Sequence, residues 1–169
     1  MKKFELTNEF ITNMFGTKLF RIRALVEFGD VEAGELGGYV EKESNLGHDD
    51  NAWVYDNAWV YGNARVYGNA RVCSDALVCG NARVCSDEDY AYAHGFGSVN
   101  RTTTFFRLKD GGVGVRCGCF YGTLAQFRDK IRETHGETKK AQEYLMLADL
   151  MELRFEEDEN EVGNRKYVE

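Results

Sequence analysis

The segment from residue 94 to residue 102 combines glycines with hydrogen-bond donors, which is the chemistry of an anion site. Glycines allow close backbone approach, and Ser98, Asn100 and Arg101 offer donors to a phosphate. Glycine-rich phosphate loops usually lead into a helix N-terminus, whereas this segment leads into a strand-favouring run of Thr and Phe. It is therefore either a nucleotide site or a linker that turns the chain. The candidate ligand-binding residues are Ser98, Asn100, Arg101, Arg107 and Arg116.

The five cysteines do not form a metal-binding pattern. Cys73, Cys79 and Cys85 are six residues apart, a spacing that puts them on three different faces of the repeat described next. Cys117 and Cys119 are closer together, but they lack the second pair or the histidine partner of a zinc site. We therefore expect no metal and no cofactor, and we expect free thiols in a reducing compartment.

A six-residue motif occurs six times between Asn51 and Ser86, as NAWVYD, NAWVYG, NARVYG, NARVCS, DALVCG and NARVCS. Valine holds one position in every copy, and alanine precedes it by two residues. Residues two apart share a face of a strand, and the Gly, Asp, Ser and Asn residues between copies favour tight turns. A fixed short period of this kind predicts a solenoid.

The period also predicts which valines touch. Three copies are expected to close one coil, with the next coil about 4.8 Å away. Residues 36–50 repeat the small-x-aliphatic pattern in degenerate form and predict a further coil. Open coil ends leave unpaired strand edges, so caps, an extra coil or an oligomer must complete the stack. The expected stacked pairs are Val54 with Val72, Val60 with Val78, and Val66 with Val84.

The residues that flank each valine are predicted to point outward from the coils. Many of them are aromatic residues or arginines, the types that are enriched at interface hot spots. They predict a surface that binds a protein partner or further copies of this chain. The candidate partner- or oligomer-binding residues are Trp53, Tyr55, Trp59, Tyr61, Arg65, Tyr67, Arg71 and Arg83.

A different pattern follows the repeat. Asp110-Gly111-Gly112 is a hairpin signal between two strand-favouring runs. Thr123 with Gln126 is a capping box that opens a helix, and Gly136 is a C-terminal stop. The predicted module is ββαα, small enough to require packing against the solenoid end. Its expected elements are strands over 100–108 and 113–119 and helices over 123–135 and 138–155.

The sequence predicts five segments. Within the first, the apolar–polar alternation over 19–25 predicts a strand. The segments are an N-terminal cap with a degenerate first coil (1–50), the hexapeptide-repeat solenoid (51–86), a linker (87–99), the ββαα module (100–155) and an acidic tail (156–169).

The net charge of −7 argues against broad binding of a phosphate backbone, which requires a basic stripe. Direct nucleic-acid binding is therefore not expected. A basic protein partner, such as a nucleic-acid enzyme, fits this charge better. Neither a membrane span nor a signal peptide is recognisable, so we expect a cytoplasmic protein with no membrane partner.

Two long stretches resemble small hexapeptide-repeat proteins carried by phages and prophages of gut-type bacteria. The N-terminal stretch is LFRIRAL, FGDV and GELGGYVE over 19–41, and the C-terminal stretch is DGG, CGCFYGTL and ETHG over 110–136. The resemblance implies a mainly β chain with a C-terminal α+β part. It implies a short left-handed parallel β-helix of two to three coils, capped by an N-terminal strand segment and the ββαα module. A homo-oligomer, dimer or trimer, in the cytoplasm of the bacterial host is also implied.

The phage origin that this resemblance implies favours a non-catalytic accessory protein that captures or blocks a host component. A counter-defence inhibitor of the anti-CRISPR type, acting by contact with a host protein, is the first expectation. The alternative is a sponge for a signalling nucleotide, held at Ser98 to Arg101. A further alternative is a hexapeptide-repeat acyltransferase, for which only His48, His94 and His135 offer a base. No second catalytic group stands beside any of these histidines in the sequence, so no catalytic residue is assigned.

Overall fold

The hexad valines form a continuous stack in the computed structural model, which describes residues 1–97 and 101–156. Each hexad contributes a two-residue strand, and the strands of the first three hexads pair in parallel with those of the last three, 18 residues later. The six valines and six alanines of the repeat are all buried. The stacked pairs predicted from the period are confirmed. The strands are β4 (Trp53–Val54), β5 (Trp59–Val60), β6 (Arg65–Val66), β7 (Arg71–Val72), β8 (Leu77–Val78) and β9 (Arg83–Val84).

A further coil precedes the regular repeat, as the small-x-aliphatic pattern predicts. Strand β3 (Leu36–Val40) pairs in parallel with β5, with Val40 opposite Val60. Leu46 bridges to Val66 on another face. The buried Asn45 side chain takes the place of a strand bond, since its Nδ2 donates to the Ala64 carbonyl at 2.8 Å.

Carboxylates join the corners of one coil to the next. The backbone N–H of Gly62 donates to Glu41 at 2.6 Å, and that of Ser74 donates to Asp56 at 3.0 Å. Asp56 and Ser74 themselves adopt left-handed backbone, with φ of 51° and 59°. Such corners require glycine or a short polar residue, which explains why Gly, Asp and Ser alternate at the sixth position of the hexad.

An N-terminal hairpin covers the first coil. Strand β1 (Phe4–Thr12) pairs antiparallel with β2 (Lys18–Ala24), which in turn pairs antiparallel with β3. The buried Lys3 ammonium closes the coil edge beside this hairpin by donating to the carbonyls of Asp50 and Ala52 at 2.9 and 2.8 Å. Strand β2 was predicted from its alternation, whereas β1 was not.

A four-stranded antiparallel sheet covers the last coil, and it corrects the predicted linker. The linker over 87–99 is wrong, because residues 90–96 form a strand that pairs with the Thr/Phe-rich strand. The ββαα module is likewise wrong, because two further strands make it ββββαα. An isolated Thr/Phe strand has two open edges, and both are paired here. The strands are β10 (Tyr90–Phe96), β11 (Arg101–Arg107), β12 (Val113–Cys117) and β13 (Phe120–Thr123).

The two faces of this sheet pack into two separate hydrophobic cores. On the coil side, Thr104 accepts a 3.0 Å hydrogen bond from the Leu77 backbone N–H, and Phe106 packs into the solenoid core. On the other side, Phe105 and Val115 pack against the helices. Alternation along a strand therefore joins the solenoid to the C-terminal helices through one sheet.

Two helices complete the chain, α1 (Leu124–His135) and α2 (Lys139–Phe155). Thr123 caps α1 and forms the predicted capping box with Gln126, and Gly136 ends the helix. A mainly β protein with a C-terminal two-helix segment is thus confirmed. Within the described part of the chain, no helix combines the length and apolar composition needed to cross a membrane. The acidic tail lies outside the described residues, apart from Glu156.

Candidate functional site

Trp53 is an interior residue, contrary to the prediction that it faces outward. Its side chain is 0% exposed. Its ring lies edge-on to those of Phe4 and Phe28, with centroids 6.3 and 5.3 Å away. The hexad position does point out of the coil, but the first hairpin strand and the turn at Phe28 cover this face.

The other predicted interface residues do not form one surface. Successive hexads lie on successive faces, so Arg71 stacks in register with Trp53 and Arg65 stacks with Arg83 on another face. Trp59, Tyr55, Tyr61 and Tyr67 are partly buried. Burial raises the pKa of all three tyrosines. Their binding role stays a prediction.

Arg107 was predicted to bind a ligand, but it is a buried residue of the protein interior. Its Nε lies 3.3 Å from the Asp89 carboxylate, and both side chains are less than a tenth exposed. Its Nη2 donates to the Phe155 carbonyl at 3.3 Å. The guanidinium therefore joins the end of the solenoid to the end of α2.

Arg116 is also buried and lies on the opposite face of the sheet from Arg107. Its guanidinium carbon is 5.5 Å from the centre of the Phe15 ring, and Nη2 is 3.8 Å from the Met14 sulfur. The tip of the N-terminal hairpin thus covers it. Because the strand alternation puts Arg116 and Arg107 on opposite faces, they do not share one site, and a ligand role for either stays a prediction.

Arg101 is exposed and does line a pocket. The pocket has a volume of about 220 Å³ and lies between the sheet and α1. The other two residues of the predicted loop, Ser98 and Asn100, lie outside the described residues. The lining residues are Arg101, Cys117, Phe120, Phe127, Lys130, Ile131, Thr134, His135 and Tyr144.

The amphipathic spacing of α1 positions most of this lining. Phe127 and Ile131 are one helical turn apart and buried, with Lys130 and His135 on the same side. Phe120 comes from the neighbouring strand, and its ring centroid lies 5.7 Å from that of Phe127. The result is an aromatic floor with the cationic side chains of Arg101 and Lys130 at its mouth.

Tyr144 closes the inner wall of the pocket. Its hydroxyl donates to the Phe96 carbonyl at 3.2 Å and lies 3.9 Å from the Cys117 sulfur. The His135 ring stacks on it, at 5.9 Å between centroids. Burial, helped by the Cys117 thiol, raises the pKa of Tyr144 to about 12. The phenol therefore stays protonated at neutral pH and acts as a hydrogen-bond donor.

Two glycines let the wall residues approach the backbone. A Cβ on Gly97 would overlap the Tyr144 hydroxyl, and a Cβ on Gly118 would overlap the Arg101 guanidinium. Gly118 also has a φ of +59°, which side-chain-bearing residues rarely adopt. The CGC sequence, which gave no metal pattern, is therefore the turn that seats Arg101.

The charge at the mouth is positive. Lys130 pairs with the exposed Glu133 at 3.5 Å. Arg101 makes no ion pair with any of the described residues. Aromatic rings offer stacking to a planar group, and arginine offers a fork of donors to a phosphate. The arrangement suits a small ligand that carries a planar ring and a phosphate group.

The three histidines do not come together. The His48 ring stacks on Phe4 at 4.3 Å, and its Nδ1 accepts from the Lys3 backbone N–H. His94 pairs with Thr102 at 2.8 Å on the sheet. Only His135 lines the pocket. The acyltransferase alternative, which requires one histidine base, stays a prediction.

The sequence singled out three of the pocket residues for separate reasons and did not predict that they lie together. Arg101 belongs to the glycine-rich segment, Cys117 to the CGC sequence, and His135 to the three histidines considered as a base. Phe127, Lys130 and Ile131 were not singled out. Their spacing of three and four residues along α1 was the available signal. The chain matches no protein-family model and no curated protein.

Proposed function

We propose that this chain is a non-catalytic binding protein whose C-terminal module captures a small host molecule bearing an aromatic ring and a phosphate. The observation that carries the proposal is the pocket in which Phe120 and Phe127 form the floor and Arg101, Lys130 and His135 surround the mouth. A signalling nucleotide has this chemistry. The proposal corresponds to the nucleotide sponge expected as an alternative from the sequence.

Capture of a host protein through the repeat surface has less support. Trp53 lies in the core, and the remaining aromatic and arginine residues are divided among coil faces. A flat hot-spot cluster requires such residues to lie side by side. The net charge of −7 is still compatible with a basic protein partner that binds at a surface other than the repeat.

The wider setting comes from the phage-type resemblance. We propose that the parallel coils wind in the left-handed sense and that the protein removes a host defence signal in the bacterial cytoplasm. The dimer or trimer is part of the same proposal. Sedimentation velocity tests that assembly state directly.

A thermal-shift screen with cyclic and ADP-ribose-type nucleotides tests the capture. A ligand at about 100 times its Kd adds about 2.7 kcal/mol to the free energy of unfolding. Arg101→Ala and Lys130→Ala should abolish the shift. Arg132→Ala is the matched control, because Arg132 lies on the same helix but outside the pocket. If no nucleotide stabilises the protein, or if the shift survives in both pocket variants, the proposal fails.

Gly118→Ala tests how Arg101 is seated. The added Cβ must displace the guanidinium, so we expect ligand affinity to fall about tenfold or more, which is at least 1.4 kcal/mol. The positive φ should also cost about 1–2 kcal/mol of folding stability. Isothermal titration calorimetry and thermal unfolding measure the two effects separately.

Gly111→Ala is the control for this substitution. Its φ is +89°, yet no heavy atom lies within 4 Å of the position its Cβ would take. It should lose similar stability and keep full affinity. Equal affinity losses in the two variants would show that backbone strain, and not the position of Arg101, weakens binding.

A further inference from the structure

A second, strongly polar groove runs along one face of the coil stack, away from the aromatic pocket. Its volume is about 500 Å³. Every coil and the turn between β11 and β12 contribute to it, and four of its eight lining residues are cationic. We call it the basic groove. Its lining residues are Lys42, Ser44, Asn63, Ala64, Arg65, Asn81, Arg83 and Lys109.

The parallel register stacks like charges inside this groove. Arg65 lies directly opposite Arg83 on β6 and β9. Like charges directly opposite each other in a sheet are destabilising. Lys109 is fixed beyond Arg83, because its backbone N–H donates to the Asn81 carbonyl at 2.9 Å. Lys42 extends the row on the side of the first coil.

No carboxylate lines the groove, and none of its four cations makes an ion pair with a described residue. Arg83 donates instead to the backbone carbonyls of Asn63 and Ala82, at 2.7 and 2.8 Å. Arg71 occupies the same hexad position on another face and has carboxylate neighbours in Asp30 and Asp87. The basic groove is therefore an uncompensated cationic row in a chain of net charge −7.

The groove chemistry selects phosphate groups and not bases. Arginine and lysine bind phosphate oxygens, and Ser44, Asn63 and Asn81 add neutral polar groups. No aromatic ring lines the groove, so a nucleobase has no stacking partner there. The acidic remainder of the chain opposes a long polyanion. We propose that the basic groove binds a short oligophosphate, whose successive phosphates lie beside successive coils.

Titration calorimetry with inorganic tripolyphosphate tests the proposal, since this probe lacks the ring that the aromatic pocket requires. We expect binding that weakens as salt is raised. Arg65→Gln and Lys109→Gln should each lower the affinity about tenfold or more. Both side chains are exposed, and Arg65→Gln also relieves the repulsion with Arg83, so each variant should be at least as stable to heat as the parent protein.

Two controls separate this site from general charge and from the aromatic pocket. Arg71→Gln removes the equivalent arginine of another coil face, and Arg101→Ala disables the pocket. Neither should change the tripolyphosphate affinity. Absence of binding, or equal losses in Arg65→Gln and Arg71→Gln, would overturn the proposal.

Competition with tripolyphosphate by two further ligands distinguishes a short oligophosphate from a nucleic-acid backbone as the bound group. ATP should displace tripolyphosphate, because its phosphate tail carries the same charge pattern. A ten-nucleotide single-stranded RNA should compete more weakly than ATP. An RNA that binds more tightly than tripolyphosphate, with the same dependence on Arg65, would instead identify a nucleic-acid surface and overturn the oligophosphate assignment.

Discussion

Replacing Arg107 with alanine is expected to lower the free energy of unfolding by about 3–5 kcal/mol, because the substitution removes a buried guanidinium that pairs with a buried carboxylate. Asp89 is 2% exposed, and its carboxylate lies 3.3 Å from the guanidinium. Asp89 also accepts from the backbone N–H groups of Cys85 and Ser86, at 3.0 and 3.2 Å. Urea unfolding followed by circular dichroism measures the loss.

The Arg107 side chain also holds the C-terminal helix against the solenoid. Its guanidinium carbon lies 5.4 Å from the centre of the Phe155 ring, and its Nη2 donates to the Phe155 carbonyl. Arg107→Ala therefore removes packing as well as charge. We expect the unfolding transition to broaden if the helices detach before the coils.

Arg101→Ala is the control from the same strand. Its side chain is exposed, so the loss should stay within about 0.5 kcal/mol. A double-mutant cycle with Asp89→Ala isolates the pair, and the double variant should lose less than the sum of the single losses. Purely additive losses would show that the ion pair does not couple the two residues.

Trp53→Ala is expected to lower the free energy of unfolding by about 3–5 kcal/mol, the range for a buried aromatic residue that leaves a cavity. The ring contacts Phe4 and Phe28, so the cavity would open between the first hairpin and the coils. Thermal unfolding by calorimetry gives the change. The two tryptophans occupy the same hexad position in adjacent copies.

Trp59→Ala is the matched control for that reason. Its side chain is only partly buried, and we expect a loss of about 1 kcal/mol. The difference between the two variants measures the contribution of the N-terminal cover. Equal losses would mean that the hexad position alone, and not the N-terminal cover, determines how much each tryptophan contributes to the free energy of unfolding.

The stacking of the coils was predictable because it depends on local, repeated information. Each valine follows its alanine by two residues, and each turn recurs after six, so one register satisfies all copies. The start and end of α1 were predictable for a similar reason. Thr123, Gln126 and Gly136 act on backbone groups within one turn of themselves.

The covers and the pocket were not predictable in the same way, because they depend on distant partners. The sequence of the Trp53 hexad does not indicate that Phe4 and Phe28 pack over it. The strand over 90–96 lacks a strong pattern of its own and is defined by pairing with β11. Arg101 and Tyr144 are both wall residues of the pocket only because the sheet and two helices fold together.

Because the regular coils pair in one repeated register, the number of coils can change by duplication of a coil. The two coils of the regular repeat meet through the same 18-residue pairing on all three faces, and the hairpin and the four-stranded sheet lie at the two ends of the stack. An in-frame duplication of one coil would add a layer about 4.8 Å thick and present the same coil surfaces to both covers, but it would also move the hairpin tip at Met14 and Phe15 away from Arg116. Copying a coil would therefore lengthen the row of outward side chains and break the contact between the hairpin tip and Arg116.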